Sequence, residues 1–127
     1  MLFYERNRKL RFPLQTAYAV PFILFLSGGI WMNENTFQAK LIKELKKRYP
    51  GCLVMKLDSS YIQGIPDLLI LYKKHWATLE CKKSEMSSVR PNQRYYVKLM
   101  NDMSFSRFIC PENMEVVLRD LQQSFEI

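Results

Sequence analysis

The fold of this chain is decided by the stretch Asp67-Leu-Leu-Ile-Leu-Tyr-Lys-Lys-His-Trp-Ala-Thr-Leu-Glu-Cys-Lys82. Two apolar segments flank Lys73-Lys74, which is the pattern of a β-hairpin with a two-residue loop. Counting outward from that loop places Asp67 directly opposite Glu80, because residues that face each other in an antiparallel pair have a constant sum of numbers. The stretch therefore predicts two carboxylates whose β-carbons are about 5 Å apart at the open end of the hairpin.

Two carboxylates in this position need a partner. Like charges opposite one another destabilise a sheet, and an unpaired carboxylate beside apolar strands is costly. A divalent cation between Asp67 and Glu80 removes both penalties, and oxygen ligands favour Mg²⁺ or Mn²⁺. Lys82 projects from the same strand face as Glu80, so its ammonium can orient an attacking water and meet charge developing on a phosphate. The alternative is a solvated strand end; the register with Asp67 favours a site for phosphodiester hydrolysis.

Outward from the hairpin, apolar periodicity predicts further helices and strands. The predicted elements are a helix over 35–49, strands over 52–57, 67–72 and 76–82, a helix over 91–102, a strand over 105–110, and a last helix with the apolar face Met114, Val117, Leu118, Leu121 and Phe125. Their order is αβββαβα, which is an α/β domain. The run Leu68-Leu-Ile-Leu71 lacks polar alternation and predicts a buried strand.

The first predicted helix carries polar residues within its apolar face. At 100° per residue, Glu34 and Gln38 fall in the middle of the arc formed by Phe37, Leu41, Ile42, Leu45 and Tyr49. Glu44 falls outside that arc. Because buried polar side chains need partners, Glu34 and Gln38 are candidates to complete a metal shell. The alternative, that Glu34 is solvated in a frayed first turn, is equally compatible with the sequence.

Three short motifs together resemble one nuclease family. Gly64-Ile-Pro-Asp67, Glu80-Cys-Lys82 and a helix opening with Pro91-Asn-Gln93 resemble the VRR-NUC branch of the PD-(D/E)XK nucleases, over about residues 33 to 112. Stand-alone phage members of that branch are similar to Holliday junction resolvases. The resemblance implies a restriction-endonuclease-like mixed four-stranded sheet flanked by helices, with the fourth strand parallel to the third. It also implies a Mg²⁺-dependent DNA endonuclease, with Mn²⁺ as a substitute.

The resemblance also implies a role for each matching residue. Mg²⁺ would be bound by Asp67, Glu80 and the backbone carbonyl of Cys81, while Lys82 would position the attacking water. Two helix residues would complete the site: Glu34 as the family's helix glutamate and Gln93 as its helix glutamine. One position departs from the family, because Arg90 stands where many members have a Ser or Thr helix cap. Either Ser88 caps the helix instead, or Arg90 contacts phosphate.

Composition favours an anionic partner. The formal net charge is +7, which suits nucleic acid or an anionic membrane surface. The preferred candidates for phosphate contact are Lys83, Arg90 and Arg94, because their segments lie near the predicted site. The three cysteines include no CxxC pair, which argues against a zinc site or a disulfide framework and favours the cytoplasm of a bacterium or phage-infected cell. The single histidine, His75, is interpreted as a turn residue.

Residues 1–31 differ from the rest of the chain. Their basic start, the apolar run Ala17–Leu26 and Ser27-Gly28-Gly29 are similar to a secretory signal, although the run is short for a membrane span and Pro21 interrupts it. A third interpretation is that Met32 is the true start, since codons for Ser27-Gly28-Gly29 can encode a ribosome-binding sequence. We therefore expect a non-domain leader over 1–31 and a nuclease domain over 32–127, with no membrane partner unless residues 12–31 are translated.

Four functions remain open at this point. The leading one is an endonuclease acting on branched DNA as a homodimer, because resolving a four-way junction needs two symmetric cuts and the chain has one predicted site. No small-molecule cofactor is expected. The others are a nicking or restriction-like nuclease without junction preference, a DNA-binding protein with a silent site, and a membrane-anchored protein defined by residues 12–31.

Overall fold

The computed structural model describes residues 32–126, so the predictions for residues 1–31 lie outside the described part. Its elements in chain order are α1 (Glu34–Arg48), β1 (Leu53–Lys56), β2 (Leu68–Tyr72), β3 (His75–Cys81), α2 (Pro91–Met103), β4 (Ser106–Ile109) and α3 (Met114–Phe125). The four strands form one sheet in the spatial order β1-β2-β3-β4. The pairs β1/β2 and β2/β3 are antiparallel and β3/β4 is parallel. The prediction of an α/β domain with a mixed four-stranded sheet flanked by helices is confirmed.

The hairpin has the predicted register. Tyr72 pairs with His75 and Leu68 pairs with Leu79, so the next position outward sets Asp67 against Glu80. The turn is closed by Lys73, whose φ of 55° lies in the left-handed region. The register matters for function because a shift by one residue would turn the side chains of one strand to the opposite face of the sheet.

The main core lies on one side of the sheet. Helices α1 and α3 cover this side and bury alternate residues of the hairpin, namely Leu68, Ile70, Ala77 and Leu79. Helix α2 lies on the other side, where it packs over β3 and β4 and forms a smaller cluster with Val97 and Phe108. Among residues 32–126, no helix is long and apolar enough to cross a membrane.

The predicted burial of the whole run Leu68-Leu-Ile-Leu71 is wrong on one face. Leu68 and Ile70 are fully buried, but Leu69 is half-buried and Leu71 is 36% exposed. The reason is the position of α2, which packs over β3 and β4 and not over the β1–β2 half of the sheet. Within the described residues, this half of the sheet is covered by helices on one side only.

The N-terminus of α2 is stabilised without a Ser or Thr cap. Arg90 is the residue that precedes the first turn, so capping by Ser88 is wrong. A guanidinium has no acceptor, and the Arg90 side chain therefore cannot cap the helix. Instead, Oε1 of Gln93 accepts the backbone N–H of Arg90 at 3.0 Å, and Oδ1 of Asn92 accepts the backbone N–H of Gln93 at 3.1 Å. The helix is thus stabilised at its start by a residue that also belongs to the site.

Candidate active site

The open end of the hairpin holds Asp67 in a fixed position. Asp67 comes directly before β2, where its carbonyl accepts the N–H of Leu57 at 2.8 Å. Its side-chain Oδ2 accepts the backbone N–H of Cys81 at 2.9 Å. The carboxylate is therefore tied to the neighbouring strand, next to Glu80, before any ligand is present.

Glu80 is a buried carboxylate, with only 3% of its surface exposed. Its Oε2 accepts a hydrogen bond from Nε2 of Gln93 at 2.8 Å and lies 3.7 Å from Nζ of Lys82. Its Oε1 is also buried, and it has no hydrogen-bond partner among residues 32–126. An acceptor left in this state is costly, so the position calls for a positive ligand or a proton.

Gln93 connects the acidic and basic groups of the site. Its Oε1 accepts from Nζ of Lys82 at 2.9 Å and from the backbone N–H of Arg90 at 3.0 Å. Two donors on the oxygen and one carboxylate on the nitrogen fix the orientation of this amide. Lys82, only 13% exposed, is consequently held beside Glu80 and cannot swing freely into solvent.

The electrostatics of the site favour added positive charge. Burial, and then the proximity of Asp67, raise the pKa of Glu80 to about 8, against the opposing effect of Lys82. Burial also raises the pKa of Asp67, although the Cys81 N–H and Lys82 act in the opposite direction. The pKa of Glu34 is raised by burial and by Asp67. These three carboxyl groups therefore influence one another.

The donor set fits a hard divalent cation. Asp67 and Glu80 are adjacent oxygen donors, and the unpartnered Oε1 of Glu80 is available for a metal. No group of three or more His, Cys, Asp and Glu side chains within residues 32–126 is placed to hold a metal ion. A cation at this point would therefore need backbone carbonyl and water oxygens as well, which suits Mg²⁺ because it usually keeps several waters.

A cleft of about 280 Å³ opens over the two carboxylates. It brings together five residues predicted from the sequence: Glu34, Asp67, Glu80, Arg90 and Gln93. It also includes Gly64, Ile65 and Asn92, which belong to the quoted motifs but had no predicted role, and three residues that sequence reasoning missed: Ser59, Ser60 and Gln63. The glycine at position 64 is needed where the loop meets α2, because it adopts φ +95° and a β-carbon there would lie 2.8 Å from Asn92. The loop before the Ile-Pro-Asp motif therefore touches the start of α2.

Other predicted residues lie outside this cleft. The side chain of Gln38 is within hydrogen-bond reach of the Cys81 thiol, on the core side of the strand. Cys81 is fully buried, and burial keeps the pKa of its thiol high, so only its backbone could serve a hard cation. Arg94 lines a separate cavity of about 190 Å³ together with Lys82 and the 84–89 loop. Lys83 is exposed and close enough to lower the pKa of Glu34.

Comparisons with protein-family models, with curated proteins and with solved structures find no match to this chain.

Proposed function

We propose that this chain is a Mg²⁺-dependent endonuclease that hydrolyses phosphodiester bonds in DNA, with the restriction-endonuclease-like arrangement of the VRR-NUC branch and a preference for branched DNA. The observation that carries the proposal is the buried carboxylate pair Asp67 and Glu80, with an unpartnered Oε1 on Glu80 and Nζ of Lys82 beside it. A buried pair of like charges is a destabilising arrangement unless it binds something positive.

The chain supplies oxygen donors for the cation. Asp67, Glu80 and the Cys81 carbonyl would hold Mg²⁺, and Glu34, in the wall of the same cleft, would reach the cation through a bound water. When bound, Mg²⁺ supplies Lewis-acid stabilisation of the negative charge that develops on the phosphate. The hydrogen bonds from the Cys81 N–H to Asp67 and from Gln93 to Glu80 keep the donor oxygens in place, which lowers the cost of assembling the site.

Lys82 is the group suited to act on the attacking water and on the phosphate. It carries three N–H donors, one of which is given to Gln93. The remaining donors can orient water for attack on phosphorus and stabilise the charge on a phosphate oxygen. Because Gln93 also donates to Glu80, a substitution at Gln93 would displace both the Lys82 ammonium and the Glu80 carboxylate.

Basic side chains near the cleft supply the contacts that a DNA backbone needs. Arg90 lines the cleft, and Lys83 follows Lys82 directly at the end of β3. Arg94 lines the neighbouring cavity and would contact DNA only along that side. We assign phosphate binding to these three residues, and we expect binding to weaken steeply with salt because phosphate contacts release counterions.

Cleavage of three matched DNA substrates tests the proposal. Duplex, flap and four-way junction DNA of equal length are incubated with the full chain, with Mg²⁺ or with a chelator. We expect cleavage only with Mg²⁺, and a loss of about 10²-fold or more in Asp67→Asn, Glu80→Ala and Lys82→Ala. Asp102→Asn, an exposed carboxylate of α2, serves as the matched control. Cleavage at the unaltered rate by Glu80→Ala, or in the chelator, would contradict the assignment.

A further inference from the structure

A second cavity adjoins the candidate active site at Lys82. The Nζ of Lys82 lies 2.9 Å from Oε1 of Gln93 and 3.7 Å from Oε2 of Glu80, and both of these residues line the cleft. Lys82 also lines the cavity of about 190 Å³ that contains Arg94, which we call the side cavity. A ligand in the side cavity would therefore be separated from the two carboxylates by little more than the Lys82 side chain.

The fold places the side cavity at the same edge of the sheet as the cleft. Strands β3 and β4 are parallel, and Cys81 pairs with Ile109 at their carboxyl ends. The backbone N–H of Lys82 donates to the carbonyl of Ile109 at 2.8 Å, which holds the two strand ends together. Ile109 and Cys110 both line the side cavity. A DNA strand that runs along this edge and crosses the cleft would therefore also pass the side cavity.

The walls of the side cavity combine apolar surface with polar groups of three kinds. The apolar part consists of Val89, Phe108 and Ile109. The polar part consists of Arg94, Glu85 and the hydroxyl groups of Ser84, Ser87 and Ser88. A guanidinium only donates hydrogen bonds, a carboxylate only accepts them, and a hydroxyl does both. A nucleobase, which is a flat ring with donors and acceptors along its edge, matches this set, whereas a phosphate would meet the like charge of Glu85.

Hydrogen bonds within the chain hold the loop that forms one wall of the side cavity. The Oγ of Ser87 accepts the backbone N–H of Ser84 at 3.2 Å, and the Oγ of Ser84 accepts that of Met86 at 3.2 Å. The backbone N–H of Glu85 donates to Oε2 of Glu112 at 3.2 Å, which ties the loop to the segment before α3. Each serine hydroxyl still carries its own hydrogen for a ligand. A loop that is ordered in advance loses less conformational entropy on binding.

We propose that the side cavity receives one base of the DNA, turned out of the stack beside the phosphate that is cleaved. This inference rests on the proposed nuclease function and specifies its substrate, which is DNA with an unpaired or easily unpaired nucleotide at the cleavage site. A volume of about 190 Å³ admits one base and excludes a base pair. The guanidinium of Arg94 has five N–H donors, so contact with a base is compatible with the phosphate contact assigned to the same residue.

A base pocket beside the cleft gives a physical reason for a preference for branched DNA. Turning a base out of a duplex costs stacking and pairing free energy, and the cost is smallest for a base that is mismatched or already single-stranded. Nucleotides at a branch point have already lost part of their stacking and pairing. The side cavity would therefore favour junctions and flaps over continuous duplex without a contact to the overall shape of the DNA.

The base analogue 2-aminopurine tests the proposal, because its fluorescence rises when it leaves the stack. It is placed in turn at each nucleotide around the branch point of a flap, and the DNA is bound to the full chain carrying Glu80→Ala, so that it is not cut. We expect a several-fold rise in fluorescence at one position. Adding Ser88→Phe or Val89→Phe should abolish the rise, because each places an aromatic ring in the wall of the side cavity.

Met86→Phe is the matched control, because Met86 belongs to the same loop, is 88% exposed and is outside the set of residues that line the side cavity. This variant should keep the full rise in fluorescence. Circular dichroism identifies a variant that fails to fold, and two cavity-filling variants are used so that one misfolded protein does not decide the result.

Two outcomes would overturn the inference and leave the nuclease proposal intact. One is bound DNA, seen as a gel shift, without a fluorescence rise at any position, as expected if residues before Met32 fill the side cavity. The other is a rise that persists in both folded cavity-filling variants. Failure of the nuclease proposal is seen separately, as the absence of Mg²⁺-dependent cleavage by the unaltered chain.

Discussion

At the scale of single residues, Glu80 couples the stability of the domain to the chemistry of the cleft. Burial and Asp67 raise the pKa of Glu80 from its ordinary value of 4.5 to about 8. Between these two values the folded protein binds a proton that the unfolded chain releases. The free energy of unfolding must therefore fall as the pH rises from about 4.5 through about 8. The stabilisation by the bound proton is complete below pH 4.5 and is lost above pH 8.

We predict that the metal-free protein melts at a lower temperature at pH 9 than at pH 5, with a difference in unfolding free energy on the order of a few kcal/mol. Mg²⁺ should restore stability at high pH, because it replaces the proton between the carboxylates. Glu80→Gln should flatten the pH profile, whereas Glu44→Gln, which changes a surface carboxylate, should leave the profile unchanged. Scanning calorimetry at constant ionic strength gives the result, and an equal pH slope in Glu80→Gln would count against it.

Glu34 and Glu44 provide a second test at this scale. Glu34 lines the cleft and raises the pKa of Glu80, whereas the Oε2 of Glu44 accepts a hydrogen bond from Arg48 at 2.7 Å on the surface of α1. We predict that Glu34→Gln weakens Mn²⁺ binding by about tenfold or more and that Glu44→Gln has no effect. Isothermal titration calorimetry of the two variants measures this, and equal affinities would show that Glu34 does not serve the metal.

At the scale of elements, the cleft depends on how closely the 57–66 loop approaches the start of α2. Gly64 has φ +95°, and a β-carbon at this position would lie 2.8 Å from both backbone and side-chain atoms of Asn92. Gly51 has a similar φ of +87°, but a β-carbon there would meet nothing within 4 Å. Alanine substitutions at the two glycines can therefore be compared. Both carry the free-energy cost of a left-handed backbone, but only the substitution at Gly64 adds a steric clash with Asn92.

We predict that Gly51→Ala destabilises the protein by about 1 kcal/mol, the usual cost of a left-handed non-glycine residue. Gly64→Ala should cost clearly more and should also reduce cleavage, because the displaced Asn92 precedes Gln93, which holds Glu80 and Lys82. Urea unfolding and Mg²⁺-dependent cleavage are measured on both variants. The same loss of activity in both would show that the contact with Asn92 has no role in the site.

The elements that were predicted correctly from the sequence are those whose position is determined by residues close together in the chain. Lys73-Lys74 determines the hairpin register, and Pro91 marks the first turn of α2. The residues that were missed depend on contacts distant in the chain. Ser59 and Ser60 line the cleft together with Asn92, which lies more than 30 residues further along the chain. No periodicity in the loop sequence carries that information.

At the scale of the whole molecule, the sheet shows why burial could not be predicted from the strand alone. The run Leu68-Leu-Ile-Leu71 is apolar at every position, which is the pattern of a strand covered on both faces. The exposure of Leu71 follows from where α2 packs, and this is decided by the β3–β4 crossover and by the contact between Val97 and Phe108. The same apolar pattern also fits a strand whose second face is covered by another chain.

The last prediction concerns the pairing of cuts on branched DNA. One cleft cuts one strand, and a four-way junction is resolved only when two strands are cut symmetrically, so the two clefts of a two-fold dimer would match the symmetry of the junction. In a supercoiled plasmid that extrudes a cruciform, the unaltered protein should therefore produce linear DNA from paired cuts within one encounter. Mixing it with an excess of the Glu80→Ala chain should leave most dimers with one working cleft and produce nicked circles first, whereas an excess of the Asp102→Asn chain should leave the early product linear. The ratio of linear to nicked product at early times, read from a gel, measures the coupling of the two cuts. Early linear product in the presence of excess Glu80→Ala would show that the cuts are not paired within a dimer, and nicking at flaps alone would assign the cleft to flap processing instead of junction resolution.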